Sequence, residues 1–532
     1  MTPDPTRSTP GPAVTRRSFL EMLGLIGGST LAYHSMTALG LAAASPQSPR
    51  PQLQGRGDGK KVLILGAGLA GMASAYELQK VGYDVQILEY QDRAGGRAWT
   101  LRGGDTYTEL GGATQRVTFQ RGNYFNPGPW RVPYHHHAFL DYAREFGVQL
   151  EPFIQNSDQA YVHRDGATPA RLRMREVRAD FHGHVAELLS KSLSSGALDQ
   201  PLTGEDRERL LDALRTWGAL DRNGRYLEGF ISANHRGYDV SPGDRLQAGE
   251  PSTPTSLSFL LQHGFWEDIV PALTYDHQNT IFQPVGGMDA LAQAFARRVN
   301  RFITFQADVK SLTATDSGVQ VTYTDRQSGA DRQVSADYCI CALPLSVLSQ
   351  KEVNVDDELK RAVREVPYAP SFKAGLEMKR RFWEEDDRIY GGVTYTNLPI
   401  QLISYPSGGL NRDRSGVLLA AYQFGAYATK YSGMTPQARL DLVRRDVQAI
   451  HPQANAEYRS GVSVGWHRVP WALGCYGMYT DEGRKTTYEV ISRRHGRVML
   501  AGEHVSYWSG WQEGALLSAI SAVQGIHEAA RA

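Results

Sequence analysis

The stretch KVLILGAGLAGMASAYELQKVGYDVQILE, residues 61–89, decides the fold. Lys61–Leu65 is a short, apolar, β-branched run, which predicts a buried strand. Gly66-Ala67-Gly68-Leu69-Ala70-Gly71 follows, then a helical pattern from Met72 to Val81 that Gly82 ends. Asp84–Leu88 predicts the next strand and delivers Glu89 and Tyr90. The glycines permit a tight turn, close approach of backbone to a pyrophosphate, and helix–sheet packing. The helix N-terminus offers N–H groups and a positive dipole end to phosphates. An acid about 20 residues after the first glycine can accept from ribose hydroxyls. Strand, glycine fingerprint, helix, strand and acid in register identify a dinucleotide-binding unit. Its candidate cofactor contacts are Gly66, Gly68, Leu69, Ala70, Gly71, Glu89 and Tyr90.

The rest of the chain must supply the other lobes, since 532 residues predict two to four domains. Lys plus Arg number 57 and Asp plus Glu 56, a net charge of +1. That balance argues against nucleic-acid binding driven by bulk charge. With 41% hydrophobic and 21% charged residues, the composition is that of a globular protein. Three cysteines, Cys339, Cys341 and Cys475, are too few for a disulfide framework or a zinc cluster. No metal-ligand set is expected: His135, His136 and His137 fall in a predicted helix over 134–147, where adjacent side chains fan apart. At the N-terminus, Arg16-Arg17 precedes a weakly apolar stretch to Ala44 that is interrupted by glycine and polar residues. This resembles a twin-arginine export signal and is poor as a membrane span, so a periplasmic or secreted protein is expected.

Beyond Glu89 comes Asp92-Arg93-Ala94-Gly95-Gly96-Arg97, a second glycine–arginine element that nicotinamide enzymes do not need. Here the chain resembles the flavin-containing amine oxidase superfamily, and among its members most resembles bacterial L-amino-acid oxidases. The resemblance runs through Glu109-Leu110-Gly111-Gly112-Ala113, Asn126-Pro127-Gly128-Pro129-Trp130-Arg131-Val132-Pro133, Ser371-Phe372-Lys373, Ile403-Ser404-Tyr405-Pro406, and Trp508 through Ala515. It departs from the family where Trp130 replaces a methionine and where a long loop separates Gly111-Gly112 from Arg131. The fold implied is α/β, α+β overall: a Rossmann-like FAD-binding domain interleaved with a mixed-sheet substrate domain and a helical domain. The expected divisions are a signal at 1–44, a linker at 45–59, FAD-binding parts at 60–133, 281–368 and 486–532, helical and substrate segments at 134–280, and a substrate-binding domain at 369–485. A homodimer or higher homo-oligomer is implied as well.

The resemblance also implies roles. Arg97 would reach the FAD pyrophosphate, and Gly112, Ala113, Gly128, Pro129 and Trp130 would run beside the flavin. Val309, on a strand expected over 303–309, would hold the adenine through its backbone, and Glu503 would sit near the ribityl or phosphate part. Gly510, Trp511, Gln512, Glu513, Gly514 and Ala515 would open a helix whose N–H groups face the flavin. Arg131 would fork onto a substrate carboxylate, a role that suits a planar bidentate donor, and Tyr405 would add its hydroxyl. Trp511 and Tyr476 would form an aromatic cage, and Lys373 would hold a water against the flavin. The activity implied is oxidative deamination of an L-amino acid with oxygen as acceptor, on non-covalently held FAD. In monoamine oxidases a Gly-Gly-Cys-Tyr segment carries a covalent flavin; here Leu473-Gly474 precedes Cys475. Amine or polyamine oxidases and amide-forming amino-acid 2-monooxygenases share the framework and remain alternatives at this stage.

Overall fold

The computed structural model describes residues 50–196 and 202–532. The twin-arginine segment and the start of the linker lie outside them. Five parallel strands form the central sheet, in the order Ile303–Thr304, Asp84–Leu88, Lys61–Leu65, Tyr338–Cys341, Val498–Leu500. In chain order this is 3-2-1-4-5, the arrangement of dinucleotide-binding sheets. Residues 62–65, 338–341 and 498–500 are apolar and buried throughout because both faces are covered. Val62 and Ile64 pack under the helices Leu69–Lys80, Ala290–Val299 and Gln512–Arg531. Leu63 and Leu65 pack on the other face, under a four-stranded sheet that includes Ala307–Ala314 and Val319–Asp325.

The strand expected over 303–309 is two strands. Gln306 takes a left-handed φ of 58° and breaks it. Ile303–Thr304 stays in the parallel sheet, whereas Ala307–Ala314 crosses to the four-stranded one. The turn is held because the Gln306 and Ala307 N–H groups donate to the Gln91 and Glu89 carbonyls, at 2.9 and 2.8 Å.

A seven-stranded mixed sheet forms the second lobe. Its order runs Ala170–Arg173, Tyr161–Arg164, Val393–Thr396, Leu402–Ser404, Gly416–Phe424, Ser371–Met378, Tyr458–Gly465. The helices Met174–Ser194, Gly204–Trp217, Phe230–Arg236 and Leu257–Gln262 and three 3-10 turns, the last being Tyr275–His277, form the third region. A small sheet then joins this region to the loop carrying Arg131: Ile281 pairs with Pro133 and Phe282 with Val132. That pairing is what brings Tyr275–His277 beside Arg131. Among the described residues no helix is long and apolar enough to cross a membrane.

Candidate active site

A cavity of about 380 Å³ runs from the first βα turn to the edge of the seven-stranded sheet. At its outer end Gly66, Gly68, Leu69 and Ala70 meet Glu89, Tyr90, Gln91 and Val309. Gly71 stands behind them: a Cβ there would lie 2.0 Å from the Gly66 carbonyl oxygen, so it serves helix–strand packing and does not line the cavity. Glu89 accepts from the Ala67 N–H at 2.6 Å and the Gln91 N–H at 2.9 Å. Burial pushes its carboxyl above the ordinary value, and these backbone donors oppose that. Two backbone bonds leave lone pairs free for ribose hydroxyls.

Midway, Gly95, Gly96 and Arg97 face Gly502, Glu503 and the start of the last helix at Gly510, Trp511, Gln512 and Ala515. Arg97 donates to Glu503 at 2.7 Å and to the Cys475 carbonyl at 2.7 Å. The Gln91 Nε2 and Gln512 Oε1 atoms are buried with no partner, and both side chains line the cavity. Buried polar atoms of this kind call for a polar ligand. A glycine-edged crevice with an N-terminal helix end, a ribose acceptor and an arginine fits a dinucleotide such as FAD.

The inner end is aromatic and cationic. Gly128, Pro129, Trp130, Arg131, Tyr422, Phe424, Cys475, Tyr476 and Trp511 line it. Gly128 must be glycine, because a Cβ would fall 2.1 Å from the Arg97 carbonyl oxygen. The Arg131 guanidinium lies 4.6 Å from the Trp130 ring centroid and 5.5 Å from that of Trp511. Burial pushes it below its ordinary pKa, opposed by Tyr422, Tyr395 and, at longer range, the Asp276 carboxylate. Among the described residues no carboxylate pairs with it: one terminal N–H donates to His277 Nε2, and Nε has no partner. His277 directs Nδ1 at the Pro271 carbonyl, 3.2 Å away, which leaves Nε2 as the acceptor.

Lys373 stands directly behind this wall. Its ammonium donates to the Gly128 carbonyl at 2.6 Å and lies 4.2 Å from the Tyr422 ring centroid. Burial pushes it down to about 7; Cys475 opposes the shift and Arg131 adds to it.

Tyr405, Gly112, Ala113, Glu513 and Gly514 are placed away from the cavity. Tyr405 is buried away from the cavity, its hydroxyl 2.7 Å from His451 Nε2 and 2.8 Å from Thr394 Oγ1. The reason is strand parity, since successive side chains point to opposite faces. Ser404 pairs with Leu419, which packs with Trp130 and Tyr422 on the cavity side. Tyr405, one residue on, joins the other core, with Phe372, Trp383 and Val443. Gly112 and Ala113 turn an outer hairpin between Thr106–Thr108 and Thr114–Arg116 and do not line the cavity. Their neighbour Glu109 is drawn inward by Arg439, at 2.8 and 2.9 Å. Glu513 also points away. It accepts from the Ala138 and Phe139 N–H groups at 2.9 and 2.8 Å, satisfying the start of the helix His137–Phe146. Burial pushes its carboxyl up to about 7. Gly514 is a packing position, 2.2 Å from the Trp508 carbonyl oxygen by its would-be Cβ.

Sequence reasoning missed Tyr422, Phe424 and His277, and left open which of His135, His136 and His137 lines the pocket. Tyr422 could have been found: it pairs directly with Lys373 across neighbouring strands, so the two share a face. His136 lines the cavity edge-on to Trp511, ring centroids 4.9 Å apart, and burial pushes its imidazole down to about 3.

The comparisons with known proteins meet this geometry. The family model of flavin containing amine oxidoreductases matches residues 69–527. The chain belongs to that family. It is 26% identical over 477 residues to YobN of Bacillus subtilis (strain 168), covering 87% of this chain and 93% of that protein. It is 26% identical over 486 residues to an L-amino-acid oxidase of Vipera ammodytes ammodytes, covering 88% and 93%. Among solved structures, the cyclohexylamine oxidase of Brevibacterium oxydans IH-35A shares the fold at a TM-score of 0.59 and 17% identity, over 89% of this chain and all of that one. The protein is therefore a flavoenzyme that oxidises CH–NH2 groups.

Proposed function

We propose that this oxidase acts on L-amino acids, producing a 2-oxo acid, ammonia and hydrogen peroxide, with non-covalent FAD. One observation carries the reading: Arg131 is a buried guanidinium on the cavity wall with no carboxylate partner among the described residues. A buried cation needs an anion, and the α-carboxylate of the substrate supplies one in the planar geometry that a guanidinium matches. A simple amine would leave the charge uncompensated.

The bound flavin supplies the hydride acceptor and the site of reoxidation by oxygen. The residues named here do the positioning. Arg131 fixes the carboxylate, with Trp130 and Trp511 excluding water around the ion pair. Trp511 and Tyr476 bracket the amino group. Lys373, held by the Gly128 carbonyl, backs the wall. Orientation of this kind contributes several kcal/mol to barrier lowering.

Peroxide release tests the proposal. It should appear with one or more of the twenty L-amino acids and be absent with the D-enantiomers and the decarboxylated amines. Equal rates with the amines would refute the carboxylate clamp, and carbon dioxide release with amide formation would identify a monooxygenase instead. Acid denaturation should release the flavin; colour retained on the protein would place a bond at Cys475. Export is inferred from Arg16-Arg17. Self-association is assigned to the helical region, where Leu227, Phe230 and Ile231 are exposed.

A further inference from the structure

His135 and His136 precede the helix His137–Phe146, with His136 at its N-cap. In that turn the two imidazoles converge, ring centroids 4.9 Å apart, where helical residues would fan. Asp276 approaches from the Tyr275–His277 turn. One ligand atom from each of the three side chains lies within 4.8 Å of the others. His135 Nε2 and Asp276 Oδ1 are 3.4 Å apart. Donors held about 2.1 Å from a tetrahedral ion would be roughly 3.4 Å apart. Both nitrogens of His135, Nε2 of His136 and Oδ1 of Asp276 are buried without a hydrogen-bond partner among the described residues. Such a concentration of unsatisfied buried atoms requires an explanation. The His135 ring is fixed by stacking on Tyr275, centroids 4.3 Å apart, and by Trp508 at 5.1 Å.

We propose that His135, His136 and Asp276 bind one divalent transition-metal ion of the zinc or cobalt type, which ties the Tyr275–His277 turn to the cavity wall. Two imidazoles and one carboxylate suit such ions, whereas magnesium and calcium select oxygen ligands. Three protein ligands leave a fourth position for water. The ion engages Asp276, and the adjacent His277 holds Arg131. Metal therefore opposes release of Arg131 to an incoming carboxylate, and by linkage the substrate weakens metal binding by the same factor.

The test uses tag-free, flavin-loaded protein stripped with EDTA, dialysed against Zn(II) or Co(II). One ion per chain is expected, with the visible absorption of low-symmetry Co(II) and no competition from Mg(II). His135→Gln and Asp276→Asn should each weaken uptake about tenfold or more, with flavin content and the thermal midpoint in EDTA as folding controls. Should one variant fail these controls, the other decides alone. No stoichiometric uptake by the unaltered protein, or undiminished uptake by a folded variant, overturns the site. Metal should also raise the KM of any substrate found for the unaltered protein and not for the variants; uptake without that rise overturns the coupling to Arg131. Uptake is read without substrate, so its failure is separate from failure of the amino-acid reading.

Discussion

The two ends of the cavity are built on opposite principles. The outer end is backbone and paired charge: a glycine turn, Glu89 held by two N–H groups, Arg97 held by Glu503. The inner end is buried cation with no carboxylate in contact among the described residues: Arg131 donates to a neutral imidazole, with Asp276 acting on it at longer range, and Lys373 donates to a carbonyl. The charged groups of the outer end are paired before any ligand arrives. On the reading proposed above, the inner end is completed by the substrate's carboxylate, and its selectivity rests on that ion pair.

The sharpest way to break this contrast is Arg131→Met. Losing one partner of a buried charge pair costs about 2–5 kcal/mol, so kcat/KM for an amino acid should fall roughly a hundredfold or more. Flavin content should stay unchanged and the ligand-free thermal midpoint should not fall, because an uncompensated buried charge has been removed. Loss of flavin in this variant would erase the distinction between the ends.

Arg97→Met should do the reverse. It strands the buried Glu503 carboxylate, at a cost on the order of 3 kcal/mol. Urea unfolding should show the loss, and the purified protein should carry less flavin.

Lys373→Met sharpens the contrast through pH. The Lys373 pKa falls from 10.5 to about 7 on folding. Between those values the unfolded chain binds more protons, so stability rises with pH there, by up to roughly 1.4 kcal/mol per pH unit from this group. Below pH 7 the full burial penalty remains. The variant should lose that slope in denaturation curves measured between pH 7 and 9, and an unchanged slope would mean Lys373 is not desolvated.

The smallest effect separates two tyrosines. Tyr405→Phe should cost about 1 kcal/mol of stability and leave kcat/KM nearly unaltered, while Tyr422→Phe should alter kcat/KM with little change in stability. Opposite results would return Tyr405 to the site.

Legibility in the sequence followed the range of the interactions. Gly66 through Glu89 could be read because turn, helix start and strand are local features of contiguous residues. Arg97, Glu503, Gly510, Trp511, Gln512 and Ala515, expected near the cofactor through resemblance, do line the cavity, since each lies in a short contiguous motif. The errors came where one residue of register decides the outcome. Tyr405 and Ser404 are neighbours on opposite faces of a sheet. Glu513 lies between Trp511 and Gln512 on the cavity side and a second helix that needed its N–H groups satisfied. Placing the helix start at Tyr134 rather than His137 concealed the convergence of His135 and His136.

By itself, then, the chain's order of residues determined a βαβ nucleotide unit and a buried apolar sheet. Those depend on local sterics, periodicity and motif. Only the tertiary structure decided that Arg131 contacts His277, with Asp276 acting on it at longer range and no carboxylate in salt-bridge contact among the described residues, that Tyr422 and not Tyr405 faces Lys373, and that Asp276 meets His135. Each of these contacts joins segments distant in sequence, and their pairing depends on how sheets and turns dock, which no local pattern encodes.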